Sequence, residues 1–353
     1  MCFKQWGTVE NRLYNELSRN FDTLLAVASN RLNAEIKYHK LEEVCDKHEL
    51  VSYLRQFGHM LLPIFRFELY NALTSEIAWF SYTFCNHKWG KDFLSMILDS
   101  WIIAIDGVIK MPEATELSLH LKNARKQIDA IFSKKLIVDQ PNPDKKVLQL
   151  VNCMIEGDYK VAKSLIVKAV NSGTSVADAI TTLILPAMNY IGSGWQNNNI
   201  KVYQEHLATQ TALRLLYALP ELKPPKQKAS LSALIGCLPG EQHTFIIAAL
   251  GMYLELSGWK TFPMIDSLTE KLHIEAISNL KPDVIFLSIM MLSRISDALQ
   301  LIQTIQSKFK SIPVFVGGRA TIHSQELFEK YNVTVIKNFE DINALARRVA
   351  HHA

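Results

Sequence analysis

The chain has 353 residues, 48% of them hydrophobic, and a formal net charge of +4. This length allows about two or three domains with their own cores, and the scattered basic residues argue against a nucleic acid partner. The five cysteines are widely spaced, which argues against a disulfide framework and a zinc site. We find no signal peptide and no clean membrane-spanning stretch, so we expect a cytoplasmic protein without membrane contact.

The first predicted region is helical throughout. Apolar residues recur at three- and four-residue spacing up to about residue 135, as in Leu61, Ile64, Phe65 and Leu69. The stretch 137–146 contains two prolines among polar residues and indicates a linker. We therefore predict an all-α N-terminal domain over residues 1–138.

The second predicted region is a helical bundle. Ser172-Gly173 is typical of a helix end, and Thr174 or Ser175 of a helix start. Helical patterns around this break are enough for about four helices, and the Pro- and Lys-rich stretch 220–230 indicates a second linker. We predict a four-helix-bundle domain over residues 147–220.

The third predicted region, residues 229–353, alternates short apolar runs with helical patterns. Such alternation predicts an α/β domain with a doubly wound, Rossmann-like (flavodoxin-like) five-stranded parallel sheet. These sheets bind ligands in the crevice beyond the carboxyl ends of their strands. The five runs predicted as strands cover residues 231–238, 259–265, 283–290, 312–318 and 333–338.

Candidate site residues lie where these strands end. His243 follows the first run, Ser288 ends the third, and Gly317-Gly318 follow the fourth. A neutral imidazole is a common metal ligand, and Glu241 could hold its other ring nitrogen. Adjacent glycines allow close backbone approach to a bulky group. A single loop histidine or glycine pair is more often structural, so the prediction depends on the spacing of all of them.

That spacing resembles the cobalamin-binding domains of methionine synthase, corrinoid methyltransferase proteins and light-sensing repressors. Their motif is Asp/Glu-x-His-x-x-Gly, then Ser-x-Leu or Ser-x-Thr, then Gly-Gly. Here 41 residues separate Glu241-Gln242-His243-Thr244-Phe245-Ile246 from Ser288-Ile289-Met290, and 26 more precede Gly317-Gly318. The resemblance implies that His243 binds cobalt from below. It also implies that the nucleotide tail is buried beside Ser288 and the glycine pair.

Two residues depart from that motif. Met290 replaces Leu or Thr, a mild change because the thioether side chain is adaptable. Ile246 replaces the glycine, and its β-branched side chain stands where the nucleotide tail passes the first helix in the family. Either the tail is then displaced or it is bound less tightly. The alternative that the domain has lost cobalamin also remains.

The second candidate site is in the predicted bundle. Glu205 shares a helical face with small and apolar residues, where a carboxylate needs a partner, and that face could leave room for a bulky ligand. The alternative is a bundle core with one capped glutamate. The pattern Trp195…Glu205-His206 resembles the cap of the light-sensing repressors, which implies that Trp195 and Glu205 cover an adenosyl group above the corrin. Gln196 stands where those repressors carry a light-state cobalt ligand, so His206 is a candidate donor instead.

The N-terminal region is rich in aromatic residues, which favours an aromatic core. The alternative is a tetrapyrrole pocket, because the region looks like those preceding cobalamin domains in bacterial sensors. Photocobilins, which are proteins of this kind, pair cobalamin with a bilin such as biliverdin. We interpret His59 and His87 as structural. The aromatic set comprises Trp79, Phe80, Tyr82, Phe84, His87, Trp89 and Trp101.

The leading hypothesis is therefore an adenosylcobalamin photoreceptor or sensor that is not an enzyme. It would signal through contacts with an unidentified protein or within a homo-oligomer, because no helix-turn-helix pattern predicts direct DNA binding. A corrinoid methyl carrier is one alternative, although Trp195 and Glu205 suit a bulkier upper ligand than methyl. A regulator of the antirepressor type with an altered or lost cofactor is another, supported by Ile246.

Overall fold

A computed structural model describes residues 11–41, 47–82, 90–133, 143–196, 199–222, 231–241, 243–265 and 268–342. The chain divides into two compact units, Met1–Ile137 and Val138–Ala353. Within the residues just given, no helix has an apolar stretch long enough to cross a bilayer.

The first unit is all-α, as the sequence predicts. Trp101 is fully buried at its centre, and its indole N–H donates to the carbonyl of Leu54 at 3.2 Å. Gly58 makes room for that ring, because any Cβ at this position would collide with it. The helices are α1 (Arg12–Arg19), α2 (Phe21–Tyr38), α3 (Lys47–Arg66), α4 (Tyr70–Tyr82), α5 (Gly90–Val108) and α6 (Glu113–Ser133).

The second unit begins with the predicted helical bundle. A π-helical turn at Ile180–Ile184 leads into the third helix, where Pro186 lacks the N–H that a regular turn would use. The first and last helices extend into the predicted linkers, and residues 134–142 and 223–230 lie outside the described structure. The helices are α7 (Lys145–Ile155), α8 (Tyr159–Asn171), α9 (Leu185–Gln196) and α10 (Val202–Leu222).

The rest of the second unit is the predicted doubly wound domain. Its five strands are all parallel, in the order β2-β1-β3-β4-β5. The strands are β1 (Ser232–Cys237), β2 (Lys260–Pro263), β3 (Val284–Ser288), β4 (Val314–Gly317) and β5 (Thr334–Val335). The helices between them are α11 (Phe245–Leu256), α12 (Glu270–Leu280), α13 (Ile295–Lys308) and α14 (Gln325–Lys330).

Two features of this domain differ from the sequence prediction. The short helix α14 was not predicted, and β5 has only two residues. Residues 339–342 are helical and begin the last predicted helix, whose continuation lies outside the described residues. The fold class itself is confirmed.

One hydrophobic core serves the bundle and the sheet domain together. It joins residues such as Met154 and Ala212 of the bundle with Ile235 and Phe286 of the sheet, and α10 packs against α11. The bundle is therefore built onto one face of the sheet domain, on the side that α11 covers.

Candidate functional site at the carboxyl edge of the sheet

The strand register places two candidate positions, Ser288 and Gly317, in one row with Cys237. Cys237 of β1 pairs with Ser288 of β3, which pairs with Gly317 of β4. This row ends the strands, at the point between β1 and β3 where the strand order reverses. Open α/β sheets bind their ligands at such a switch point.

The loop after β1 begins with a tight turn. The N–H of Glu241 donates to the carbonyl of Leu238 at 3.1 Å, and Gly240 between them has φ +76°. Proline before a glycine with positive φ is the signature of a type II turn, and Pro239 occupies that position. The turn brings the chain back over the sheet edge, so that Glu241 is buried directly after the exposed Gly240.

The Glu241 carboxylate is held by two loops at once. Its Oε1 accepts from the ring Nδ1 of His243, and from the His243 backbone N–H at 3.2 Å. Its Oε2 accepts from the backbone N–H of Met290, just beyond β3, at 3.3 Å. Burial acts to raise the pKa of Glu241, but the hydrogen bonds and the charge of His243 outweigh it and lower that pKa. The carboxylate therefore stays ionised.

His243 is presented outward by this arrangement. Its side chain is 52% exposed, whereas that of Glu241 is 1% exposed. Because Nδ1 faces the carboxylate, the neutral form of the ring carries its hydrogen on Nδ1 and keeps a lone pair on Nε2. In the described part of the chain, no group of three or more His, Cys, Asp or Glu side chains could hold a free ion.

Ser288 and the glycine pair form the floor of this edge. The Ser288 Oγ is buried, and no hydrogen-bond partner for it is present among the described residues. Leaving a buried hydroxyl without a hydrogen bond costs about 1–3 kcal/mol. Ser288 therefore fits a site in which a polar group of a ligand supplies that bond. The glycines have another explanation. A Cβ on Gly318, where φ is +107°, would lie 2.5 Å from the carbonyl oxygen of Ile289, and one on Gly317 would lie 3.2 Å from that of Ile336. Both are needed where protein backbones approach each other.

The ends of β3 and β4 are joined beneath the candidate site. The Ile289 N–H donates to the carbonyl of Gly317 at 2.8 Å, and the Ile289 carbonyl accepts from Ala320 at 3.1 Å. Together with the bond from Met290 to Glu241, these contacts fix the loops after β1, β3 and β4 relative to one another. Ile246 is the second residue of α11 and packs, partly buried, against the shared core.

The predicted cap residues lie at the end of α9 and the start of α10. Ile200 packs onto Gly194, and its N–H donates to the Gly194 carbonyl at 3.0 Å, which closes the connection between the two helices. Trp195 is 44% exposed. Large apolar side chains nearby in the sequence are exposed as well. These are Val202, Tyr203 and Leu207.

Glu205 has partners from its own helix. Its Oε2 is 2.9 Å from the Nδ1 of His206, and its Oε1 accepts from Thr209 at 2.8 Å. The Glu205 side chain is 27% exposed and that of His206 is 74% exposed. This is a second histidine–carboxylate pair that leaves Nε2 outward.

The sequence interpretation of the face shared with Glu205 was wrong in one respect. Small residues on that face, such as Ala208 and Ala212, were expected to leave room for a bulky ligand, but both are fully buried in the shared core, as is Leu216. Small residues on α10 serve close helix packing there instead. The exposed large apolar side chains on this part of α10 are Val202, Tyr203 and Leu207, in the first two turns.

The described members of the N-terminal aromatic set, Trp79, Phe80 and Trp101, are not among the residues that line one cavity of their unit. That cavity, of about 710 Å³, lies among α2, α5 and α6, and charged side chains such as Arg31, Asp99 and Arg125 dominate its lining. Phe80 and Trp101 are buried in the core, and His59 is exposed. Phe84, His87 and Trp89, together with the side chain of Tyr82, lie outside the described structure.

Comparison with known proteins identifies the second unit. Two family models, each described as a B12 binding domain, match residues 148–219 and 231–346. The second unit therefore contains domains of the cobalamin-binding family. The first match covers the helical cap, which is the bundle formed by α7 to α10, and the second covers the sheet domain.

Individual cobalamin-domain proteins are also similar to this chain. The HTH-type transcriptional repressor CarH of Myxococcus xanthus is 25% identical over 170 residues, which is 48% of this chain and 56% of that protein. The chain therefore spans about half the length of this curated relative.

Two solved structures are similar as well. The monomethylamine corrinoid protein of Methanosarcina barkeri has a TM-score of 0.47 at 17% identity, covering 57% of this chain and 96% of that one. A cobalamin-binding protein of Desulfitobacterium hafniense has a TM-score of 0.33 at 15% identity, covering 57% and 96%.

The residues at the sheet edge fit a corrinoid. His243 offers one free nitrogen, Ser288 one unsatisfied hydroxyl, and both lie at the switch point of a cobalamin-binding sheet. Sequence reasoning missed the turn at Pro239-Gly240. It also missed the clamp on Glu241, which is the hydrogen bond that the Met290 N–H donates to its carboxylate. The Pro-Gly pair was a readable signal for the turn, whereas the clamp joins residues 49 positions apart and has no local signal.

Proposed function

We propose that this protein is a cobalamin-dependent sensor in which the imidazole of His243 would bind the cobalt. The observation that carries the proposal is the fixed orientation of its ring. Glu241 accepts a hydrogen bond from the Met290 N–H and another from Nδ1 of His243. Nε2 is therefore left free at the switch point of the sheet. When bound, the corrinoid would supply a cobalt ion with a second axial position open to an exchangeable group.

The chain's own residues prepare the lower face. The buried Glu241 carboxylate fixes the tautomer of His243 and raises the basicity of Nε2, as outer partners of metal-bound histidines do. Ser288 offers a hydroxyl to the part of the cofactor that enters the crevice. The loops after β1, β3 and β4 are joined by hydrogen bonds, so the protein needs little further ordering when the cofactor binds.

The helical cap would contact the upper face of the cofactor. Trp195 and the exposed apolar residues of α10 offer a surface that a bulky upper group could cover. We propose adenosylcobalamin and a light response on the resemblance of Trp195 and Glu205 to the cap of light-sensing repressors. Removal of the upper group would then let the cap move, and the change would be transmitted through contacts with a protein partner or a second copy.

Ile246 favours a second candidate function. A regulator of the antirepressor type could retain this fold after changing or losing the cofactor. The methyl-carrier alternative differs in its upper ligand, because a methyl carrier would exchange methyl groups with a partner enzyme and would be indifferent to adenosyl.

The decisive experiment is reconstitution with adenosylcobalamin in the dark, followed by desalting and visible absorption spectra before and after illumination. The proposed function predicts retained cofactor, a spectral change on illumination and a changed elution volume. Colourless protein would favour the second candidate and rule out the first. A methyl carrier would retain cobalamin without a preference for the adenosyl form. The same spectra of protein as purified test the bilin prediction, because bilins absorb in a different region.

A further inference from the structure

Arg294 lies against the turn that leads into the His243 loop. Its Nη2 is 2.8 Å from the position that a Cβ would occupy on Gly240. Gly240 also has φ +76°, and this left-handed backbone is the reason why the position favours glycine. The two residues come from different loops, one after β1 and the other after β3.

The backbone of Arg294 is well anchored. It ends a short 3₁₀ turn, Leu292–Arg294, and its N–H donates to the carbonyl of Met291 at 3.0 Å, directly before α13. The guanidinium is 3.4 Å from the carboxylate of Asp297, a long ion pair between partly exposed side chains. Such a pair contributes little. The same guanidinium lies beside the Gly240 turn.

The turn is otherwise open on its outer side. Gly240 is exposed, although Glu241 immediately after it is buried. The Met290 N–H holds Glu241 from below, at the sheet edge, and Arg294 covers the turn from outside. Residues of the β3 loop therefore fix the β1 loop at both points, and the orientation of His243 depends on that loop.

We propose that Arg294 is a positioning residue for His243. By packing on Gly240 it holds the Pro239-Gly240 turn, so that Glu241 and the imidazole keep the geometry needed for coordination. The inference rests on the proposed function, since it concerns the histidine that we assign as the cobalt ligand. Arg294 would act through the loop and not by contacting the metal.

The test uses the full chain and aquacobinamide, a corrinoid that lacks the nucleotide base. With this probe, a nitrogen-coordinated spectrum reports a protein imidazole alone, and His243→Ala defines the spectrum without it. We expect Arg294→Ala to lower the affinity for cobinamide, measured by the imidazole-bound spectrum, about tenfold. This is the lower end of what outer partners of metal ligands contribute. Arg294→Lys should recover only part of this loss, because an ammonium lacks the planar guanidinium. Asp297→Asn, which removes only the long ion pair, should behave as wild type.

A double-mutant cycle separates this contact from general loop damage. Gly240→Ala should weaken binding, because the new Cβ strains the turn and displaces Arg294. If the two residues act together, the double variant Gly240→Ala/Arg294→Ala should bind no more weakly than Gly240→Ala alone. Effects that simply multiply would overturn the proposal, because independent sites are additive in free energy.

The outcomes distinguish this inference from the proposed function. Wild-type protein without an imidazole-bound spectrum would remove the proposed function. Wild-type protein with that spectrum, matched by Arg294→Ala at the same affinity, would overturn only the role of Arg294. Should Arg294→Ala fail to fold, Arg294→Met replaces it, because methionine keeps an unbranched apolar stem and removes the guanidinium that lies beside Gly240. Wild-type affinity in the Met variant contradicts the proposal, and weaker binding at an unchanged melting temperature supports it.

Discussion

The second unit contains two histidine–carboxylate pairs that are held in different ways. In the sheet domain, Glu241 is buried and accepts N–H groups from its own loop and from the loop after β3. In the cap, Glu205 is partly exposed and bonds to His206 and Thr209 of the same helix. The first pair is fixed by tertiary structure, whereas the second depends on one helical turn.

This difference indicates different uses. A carboxylate anchored from two loops holds its histidine in one orientation, which suits a ligand that remains bound. A pair on the first turns of an exposed helix can change partners at little cost, which suits a surface that meets an exchangeable upper group. The comparison predicts that the same substitution has a large effect in the sheet domain and a small one in the cap.

The largest effect is expected for the histidines. His243→Ala should weaken cobalamin retention by at least about 100-fold, above the upper range for outer partners of a ligand. His206→Ala is the matched control and should retain the cofactor in the dark with an unchanged lower-face spectrum. Equilibrium dialysis followed by absorption spectroscopy measures both. Equal loss in the two variants would contradict the assignment of the lower ligand.

The carboxylates should follow the same order. Glu241→Gln keeps the shape but removes the charge that fixes the ring, and we expect about 10–100-fold weaker retention. Glu205→Gln should change retention by less than about threefold, in line with exposed charge pairs. Titration of the desalted variants with cobalamin gives both values. A Glu205 variant as weak as the Glu241 variant would mean that the cap pair is also essential.

Trp195 tests whether the cap distinguishes upper ligands. Trp195→Ala should reduce the preference for adenosylcobalamin over methylcobalamin about fivefold, since an aromatic contact contributes about 1 kcal/mol beyond burial. The spectrum of the lower face should stay unchanged. Tyr217→Ala is the control, because Tyr217 is also an exposed aromatic residue but lies on α10. This variant should leave the preference as in wild type. Equal preference in wild type and Trp195→Ala would show that the cap does not read this group.

The smallest effect is expected at Ser288, with opposite signs in two measurements. Ser288→Ala removes a buried hydroxyl without a partner among the described residues, so the free energy of unfolding without cofactor should stay equal or rise by about 1 kcal/mol. Cobalamin affinity should fall about fivefold if that hydroxyl bonds to the cofactor. Ser100→Ala, which removes another such hydroxyl in the first unit, should leave affinity unchanged. Urea unfolding and cofactor titration report the two effects, and unchanged affinity in Ser288→Ala would remove Ser288 from the site.

Much of the fold could be predicted because the sequence changes its periodicity at clear places. The alternation after residue 231 predicted the parallel sheet, and the strand ends predicted where His243, Ser288 and Gly317 lie. The helix α14 was missed because six residues give too short a pattern. The face of α10 was misjudged because small residues suit both a ligand and a close helix neighbour. The bond from Met290 to Glu241 and the packing of Arg294 on Gly240 depend on tertiary contacts that no local pattern encodes.

The most direct test of the central claim is electron paramagnetic resonance of the protein reconstituted with cobalamin and reduced to Co(II), prepared with and without ¹⁵N-histidine. If His243 is the lower ligand, the nitrogen splitting changes from triplets to doublets in the labelled protein, and this change is lost in His243→Ala. Splitting that stays as triplets with ¹⁵N-histidine would show that the cofactor's own base, and not this imidazole, binds the metal.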